Sequence, residues 1–315
     1  MRHLYQDTPG NASVGQQQLQ DLRYLRKQRP LRVLSESDFA HWQHYGYVVV
    51  RQAISAQQVA QTCDFLWEFQ QMSAQDPDSW YQGPEAQHAM QELNHSGMVE
   101  AYHHPLLWRN RQQPRIYDAF VDIWDREELW VSIDRANLNP PNDHRRPFQG
   151  FIHWDANTQL RPLPVGVQGV LALTDTDEET GGFQCVPELF AHLEQWLARQ
   201  PADANPWRPE MSQVPYAVES VHLQAGDLLI FNSLLAHGIR PNRANRVRMA
   251  QYIAMTPAEE DNQALRDWRI QAWREVLPPP GQPFPGDPRR WEQTRYPHAQ
   301  LNALGRKLLG LDSWY

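Results

Sequence analysis

Cysteine is scarce in this chain. The two in 315 residues, Cys63 and Cys185, are too few for a disulfide framework or a four-thiolate zinc site, and they suit a reducing compartment. Any metal chemistry therefore falls to histidines and carboxylates. Lysine occurs only at Lys27 and Lys307, a bias read here as codon usage, and no stretch forms a dense basic run. The formal net charge is −8, from 29 Lys plus Arg against 37 Asp plus Glu, so the cationic surface that tracks phosphates is missing and no nucleic-acid partner is expected. Nor does the chain run apolar for the roughly 18 residues that a membrane span requires, and its polar first 30 residues lack the apolar segment of a signal peptide. A soluble, cytoplasmic protein without a membrane partner is expected. The small basic cluster Arg23, Arg26, Lys27, Arg29 and Arg32 reads as the solvated face of a helix.

Hydrophobic residues make up 41% and aromatics 11%, enough to bury a sizeable core, but composition does not choose its architecture. Local patterns are more informative. Ser55-Ala-Gln-Gln58 has capping-box form, and Val59, Cys63, Leu66 and Phe69 follow at helical spacing, so a helix is expected over 56–72; a second is expected over 115–128. Beyond it come short β-rich runs at 130–133, 151–154, 165–174, 217–223, 228–231 and 247–255, separated by Gly, Pro and Asn turns. The expected fold is mainly β with helical decoration: a double-stranded β-helix, or jelly-roll, cupin-like core flanked by α-helices. The expected organisation is one domain over 1–315, with a helical N-terminal layer to about 128, the jelly-roll core over about 129–256, and C-terminal helices with a Pro-rich segment over about 257–315. Helices are expected at 187–200, 259–277 and 299–309, and the proline-dense 278–288 as a stiff surface connection.

His153-Trp154-Asp155 falls in one of the expected strands, where residues i and i+2 share a face, so an imidazole and a carboxylate can converge on one ion. Composition alone supplies roughly one such His-x-Asp by chance. His192-Leu193-Glu194 is an internal control: its expected helix makes i and i+2 diverge, and it should not bind metal. What lifts the first motif above the control is the later block 226–253, where a Gly-Asp turn, a buried strand, His237 and an arginine-bearing strand follow in order. His153 and His237 are expected on strands of opposite sheets that meet at the open end of a sandwich. Two His and one carboxylate form the facial set of a non-haem Fe(II) centre, which leaves positions for a bidentate organic acid and O2; a catalytic zinc hydrolase is the competing use of the same three ligands. Either Arg246 or Arg248, which share a strand face, could enter the barrel, where a guanidinium is costly unless an anion meets it. The distal carboxylate of 2-oxoglutarate would be such an anion.

At this point the chain resembles the phytanoyl-CoA dioxygenase family of Fe(II)/2-oxoglutarate-dependent oxygenases. The resemblance rests on ordered blocks from about 130 to 253: RANLNPP, FIHWD, VQGVLALTDTDEETGGFQCVPELF and GDLLIFNSLLAHG, with Arg248 eleven residues after His237. It implies Fe(II) on His153, Asp155 and His237, 2-oxoglutarate on Arg248 rather than Arg246, a contact of Asn137 with 2-oxoglutarate, and a contact of Arg135 with co-substrate or substrate. The implied activity is hydroxylation of an unactivated C–H of a small molecule by O2, with release of succinate and CO2. Asp155 disfavours halogenation, for which that carboxylate gives up its place to chloride, while desaturation, epoxidation and ring closure stay open. The family's usual Pro-Gly-Ser-His is replaced by Pro187-Glu188-Leu189-Phe190, a departure expected to touch only a surface turn. A cupin-type metal-dependent hydrolase or isomerase, or a non-catalytic jelly-roll binding module, are the other readings. With a charge of −8, a small polar metabolite is a more natural substrate than an acyl-CoA. His103, His104 and the Trp108-to-Arg111 run read as part of a packed helical layer rather than the barrel mouth, and Cys185 as a buried small hydrophobe.

Overall fold

A computed structural model describes residues 19–84, 87–88 and 91–315; the first 18 residues, part of the stretch read above as lacking a signal-type segment, lie outside them. The first half of the chain runs α1 (Glu36–Tyr45), β1 (Tyr47–Val50), α2 (Ala56–Phe69), α3 (Gln91–Asn94), β2 (Met98–Val99), α4 (Pro105–Arg111), α5 (Pro114–Trp124), β3 (Leu129–Val131) and β4 (Ala136–Asn139). There follow β5 (Val167–Ala172), β6 (Thr180–Cys185), α6 (Pro187–Ala191), α7 (Leu193–Leu197), β7 (Glu219–Ser220), β8 (Leu228–Asn232), β9 (His237–Asn242) and β10 (Arg248–Tyr252). The chain ends with β11 (Met255–Pro257), α8 (Gln263–Glu275), α9 (Trp291–Thr294) and α10 (Ala303–Leu309). Among the described residues no helix is long and apolar enough to cross a membrane.

Two antiparallel sheets make the jelly roll. The larger has the order β1-β8-β5-β10-β4-β2 and the smaller β7-β6-β9, while β3 and β11 pair separately. Alternation along the strands explains the layers. In β8, Leu229 and Phe231 face the smaller sheet and pack with Phe183 and Cys185, whereas Leu228 and Ile230 face the helices and pack with Phe120, Leu66 and Leu107. Each sheet face thus buries its own apolar set, because neighbouring side chains on a strand point to opposite sides.

The expected helix over 56–72 is α2, closed at its start by the Ser55 and Gln58 capping box. Both β1 and the preceding α1 have only weak sequence signals. β1 is four residues of Tyr and Val that pair with β8 from Tyr47↔Phe231 to Val50↔Leu228, so the larger sheet draws strands from before residue 128 as well as after it.

Several expectations need correction. Residues 151–154 form no strand: His153 makes a single bridge to His237, and then the chain bends, Trp154 N–H bonding to Trp207 O and Asp155 N–H to Ser233 O. The basic cluster is not a helix face, since only Leu22–Tyr24 makes a short 3-10 turn; Lys27 pairs with Asp125 at 2.9 Å and Arg32 with Asp118 at 2.9 Å. Pro187-Glu188-Leu189-Phe190 is no surface turn but the start of α6, with Leu189 and Phe190 buried between the sheets. The proline-dense stretch 278–288 has no helix or strand, as expected, yet it is not merely a surface connection: Phe284 is buried and the Pro283 carbonyl accepts from Arg135 at 2.6 Å.

Candidate metal centre

The backbone of His153 exchanges two hydrogen bonds with that of His237, at 2.8 and 2.9 Å. The two histidines are therefore neighbours across one bridge, not residues on opposite sheets, and their ring centroids lie 4.5 Å apart. Asp155 reaches both imidazoles through the bend that follows: its Oδ1 is 3.2 Å from His153 Nε2 and its Oδ2 is 3.1 Å from His237 Nε2. One ligand atom of each residue lies within 4.8 Å of the others. Among the described residues this is the one group of three or more His, Cys, Asp and Glu so gathered.

The surroundings set the orientation of each donor. His237 Nδ1 bonds to the Leu235 carbonyl at 2.8 Å, which turns Nε2 toward Asp155, the usual outer-shell arrangement of a metal-binding imidazole. His153 is held by packing between Phe151, at 4.8 Å between centroids, and His237. Gln168 Nε2 donates to Asp155 Oδ2. Burial, then the adjacent His237, lowers the pKa of His153. Burial opposes ionisation of Asp155, but His237 and His153 hold its carboxyl below the usual carboxylate range. A neutral imidazole beside a carboxylate is the protonation state in which both bind a cation. This donor set, open on its cavity side, fits Fe(II).

Gly238 explains why the bridge forms at this place. A Cβ there would sit 1.7 Å from the Phe151 carbonyl oxygen, so only glycine after His237 lets segment 151–153 lie this close. Gly238→Ala is expected to force the two backbones apart, destabilise the protein by about 1 to 3 kcal/mol as overpacking does, and weaken metal binding with it. Denaturant melts and Fe(II) titration of the variant check this; a wild-type melt would contradict it.

Arg248 opens β10 and is 2% exposed. It shares a strand face with Ala250, which packs between the sheets, while Met249 packs toward the helices. Its NH1 donates to Asn137 Oδ1 at 3.1 Å, its Nε has no partner, and no carboxylate among the described residues pairs with it. Arg246 instead precedes the strand and forms an exposed ion pair with Asp177 at 2.5 Å. Asn137 lies diagonally across the β4–β10 register and also donates to the Ser96 carbonyl. Arg135 donates to the Tyr102 hydroxyl and Pro283 carbonyl, with Glu100 at 3.6 Å and Phe284 beneath its guanidinium at 4.5 Å. The control residue His192 caps the junction of α6 and α7, its Nδ1 on the Glu188 carbonyl, away from the cluster. His103 and His104 belong to the packed helical layer, and Cys185 is buried between the sheets.

A cavity of about 320 Å³ joins these groups, lined by His153, Asp155, His237, Arg135 and Arg248 and by apolar walls that include Phe151 and Phe231. That size suits a small molecule. Sequence reasoning did not single out Gln168 or Asp134, both of which line this cavity. The one available signal was Gln168 itself, a polar residue inside the otherwise apolar run 165–173.

Residues 42–250 match the family model described as phytanoyl-CoA dioxygenase. The chain is 23% identical over 280 residues to Ava biosynthesis cluster protein O of Aspergillus versicolor, an alignment that covers 77% of this chain and 88% of that one. Its fold is similar to that of a candidate oxidoreductase of Salmonella typhimurium LT2, with a TM-score of 0.64 at 18% identity over 88% of this chain and 83% of the other. It is also similar to that of GlcNAc Inducible Gene 2 from Candida albicans, with a TM-score of 0.61 at 13% identity over 87% and 76% of the two chains.

Proposed function

From the premise that this chain belongs to the phytanoyl-CoA dioxygenase family of Fe(II)/2-oxoglutarate-dependent oxygenases, we propose that it hydroxylates an unactivated C–H bond of a small molecule. The observation that carries this reading is the meeting, in one cavity, of the His153, Asp155 and His237 donors with a buried arginine that has no carboxylate partner among the described residues. Bound Fe(II), with 2-oxoglutarate and O2, would supply the oxidising chemistry, splitting the keto acid into succinate and CO2 and placing one oxygen atom in the substrate C–H bond.

The chain's own residues would do the rest. His153 and His237 each offer Nε2, and Asp155 offers a carboxylate that offsets part of the metal's charge while Gln168 fixes its rotation. Arg248 would take the distal carboxylate of 2-oxoglutarate through its fork, and Asn137 clamps one side of that fork. Arg135, tied to the Pro-rich segment, would shape the substrate side of the cavity. Phe151, Phe183 and Phe231 close around the two imidazoles and exclude water. A hydrolase built on the same three ligands would leave the Arg248 guanidinium buried without an anion, which is unfavourable. The two thiols, Cys63 and Cys185, are free, which suits the reducing compartment of this reading.

The test is succinate formation by the purified chain supplied with Fe(II), 2-oxoglutarate and O2. A slow basal release is expected, accelerated by the substrate when small polar metabolites are added one at a time. If 2-oxoglutarate is never turned over, with or without added metabolites, the reading fails.

A further inference from the structure

We infer that Asp134, together with the Tyr252 hydroxyl, anchors the substrate in this cavity and that the substrate carries an ammonium group. The inference rests on the oxygenase reading above. Asp134 lies in the turn between β3 and β4 and lines the same cavity as the metal-binding trio. Its Oδ1 accepts the backbone N–H of Arg135 at 2.8 Å. Among the described residues no cation forms an ion pair with its carboxylate, and each guanidinium nearby is directed elsewhere. Arg111 donates to the Tyr102 carbonyl at 2.6 Å and to the backbone carbonyl of Asp134, not to its side chain. Arg135 is held by Tyr102, Pro283 and Glu100, and Arg248 by Asn137.

The physical state of the pair points to a cationic guest. Desolvation pushes the Asp134 carboxyl up to about 6, even against the fields of Arg135 and Arg111; a half-buried carboxylate in that condition is stabilised by a cation that enters the cavity. The Tyr252 hydroxyl is buried beside Arg248 and makes no hydrogen bond of normal geometry. Burial first, with the Asp134 charge contributing, raises its pKa, which places the phenol and the carboxylate within reach of each other's field. An ammonium offers several N–H donors, so one could meet Asp134 and a second the Tyr252 oxygen. Walls made by Phe148, Phe151 and Trp207 add ring faces that attract a cation.

Charge accounting agrees. With the site loaded, the two positive charges of the metal and that of Arg248 balance Asp155 and the two carboxylates of 2-oxoglutarate, and Arg135 is balanced by Glu100. The remaining buried guanidinium, Arg111, lies in the fields of both Asp134 and Glu292, so one carboxylate of these three groups is left for the substrate. Arg208 also lines the cavity, at its exposed rim over Phe151 at 5.3 Å, so a contrast between an ammonium and a carboxylate probe reads which charge the site prefers.

The experiment is calorimetric titration of the full chain at pH 8, above the Asp134 pKa, with 2-phenylethylamine, 2-phenylethanol and phenylacetate. The amine is expected to bind about 10-fold or more tighter than the alcohol or the acid, the scale of a hydrogen bond to a charged group. Asp134→Asn keeps the shape and the acceptor for Arg135 N–H; it should erase that preference while leaving 2-oxoglutarate affinity unchanged, and Tyr252→Phe should reduce it less. Equal or tighter binding of phenylacetate, amine binding that survives Asp134→Asn, or no binding of any probe at millimolar concentration would overturn the inference. Should the variant not fold, the order of the three probes on the unaltered chain still decides. Failure of the oxygenase reading would look different: absence of succinate, whatever the probes do.

Discussion

His237→Ala is expected to abolish iron binding and all turnover of 2-oxoglutarate. Mixed anaerobically with Fe(II) and 2-oxoglutarate, the unaltered chain should develop a weak visible charge-transfer band, and the variant should show none. The expected loss of metal affinity exceeds about 100-fold, the upper end of what is lost when only an outer-shell partner is removed. The reason is geometric as well as chemical. His237 supplies one of three donors, its Nδ1 bond to Leu235 fixes the direction of that donor, and its ring supports the ring of His153 at 4.5 Å. Alanine removes the first and the last of these together and leaves the Asp155 carboxylate buried with one imidazole fewer to balance it. His192→Ala serves as the comparison, since that ring lies on helix-end backbone at Glu188 and its loss should leave iron stoichiometry intact. A band of ordinary intensity in the His237 variant would remove this residue from the metal site.

Arg248→Lys keeps a positive charge and discards the planar fork. The expected cost is about 1 to 3 kcal/mol of 2-oxoglutarate binding, a rise in Kd of roughly 5- to 150-fold, read by titration of the charge-transfer band. Iron affinity should change little, because Arg248 touches Asn137 and none of the three donors. Arg246→Lys should leave the Kd within about twofold, since an exposed ion pair such as that with Asp177 contributes little. An unchanged Kd in Arg248→Lys, or a large rise in Arg246→Lys, would move the co-substrate site elsewhere on β10.

The contrast between these two arginines shows how much the sequence could say. Strand alternation placed residues 246 and 248 on one face and could not choose between them; the eleven-residue offset from His237 favoured Arg248 by family resemblance. In three dimensions β10 begins only at Arg248, so alternation applies to one of the pair and the other stays at the rim. The His-x-Asp motif was legible for a reason that proved incomplete. Its spacing reads as pleat geometry, whereas the two side chains meet because the chain bends after a single bridge and Gly238 allows Phe151 to approach. β1 escaped notice because four residues carry too little pattern to stand out, and its register comes from β8.

By itself the sequence determined which chemistry was available. With two cysteines and few lysines, histidines, carboxylates and arginines had to do the work, and their order along strand-like runs pointed to a jelly roll with a candidate ligand trio. Local patterning carries that much because alternation and turn residues act over a handful of positions. Tertiary structure alone decided which groups share a cavity, that Gln168 steadies Asp155, that Asn137 holds Arg248, and that Asp134 lines that cavity with no ion-paired cation among the described residues. Such facts depend on contacts between residues distant in the chain, as far apart as 111 positions for Asn137 and Arg248, and on burial, which no short stretch of sequence encodes.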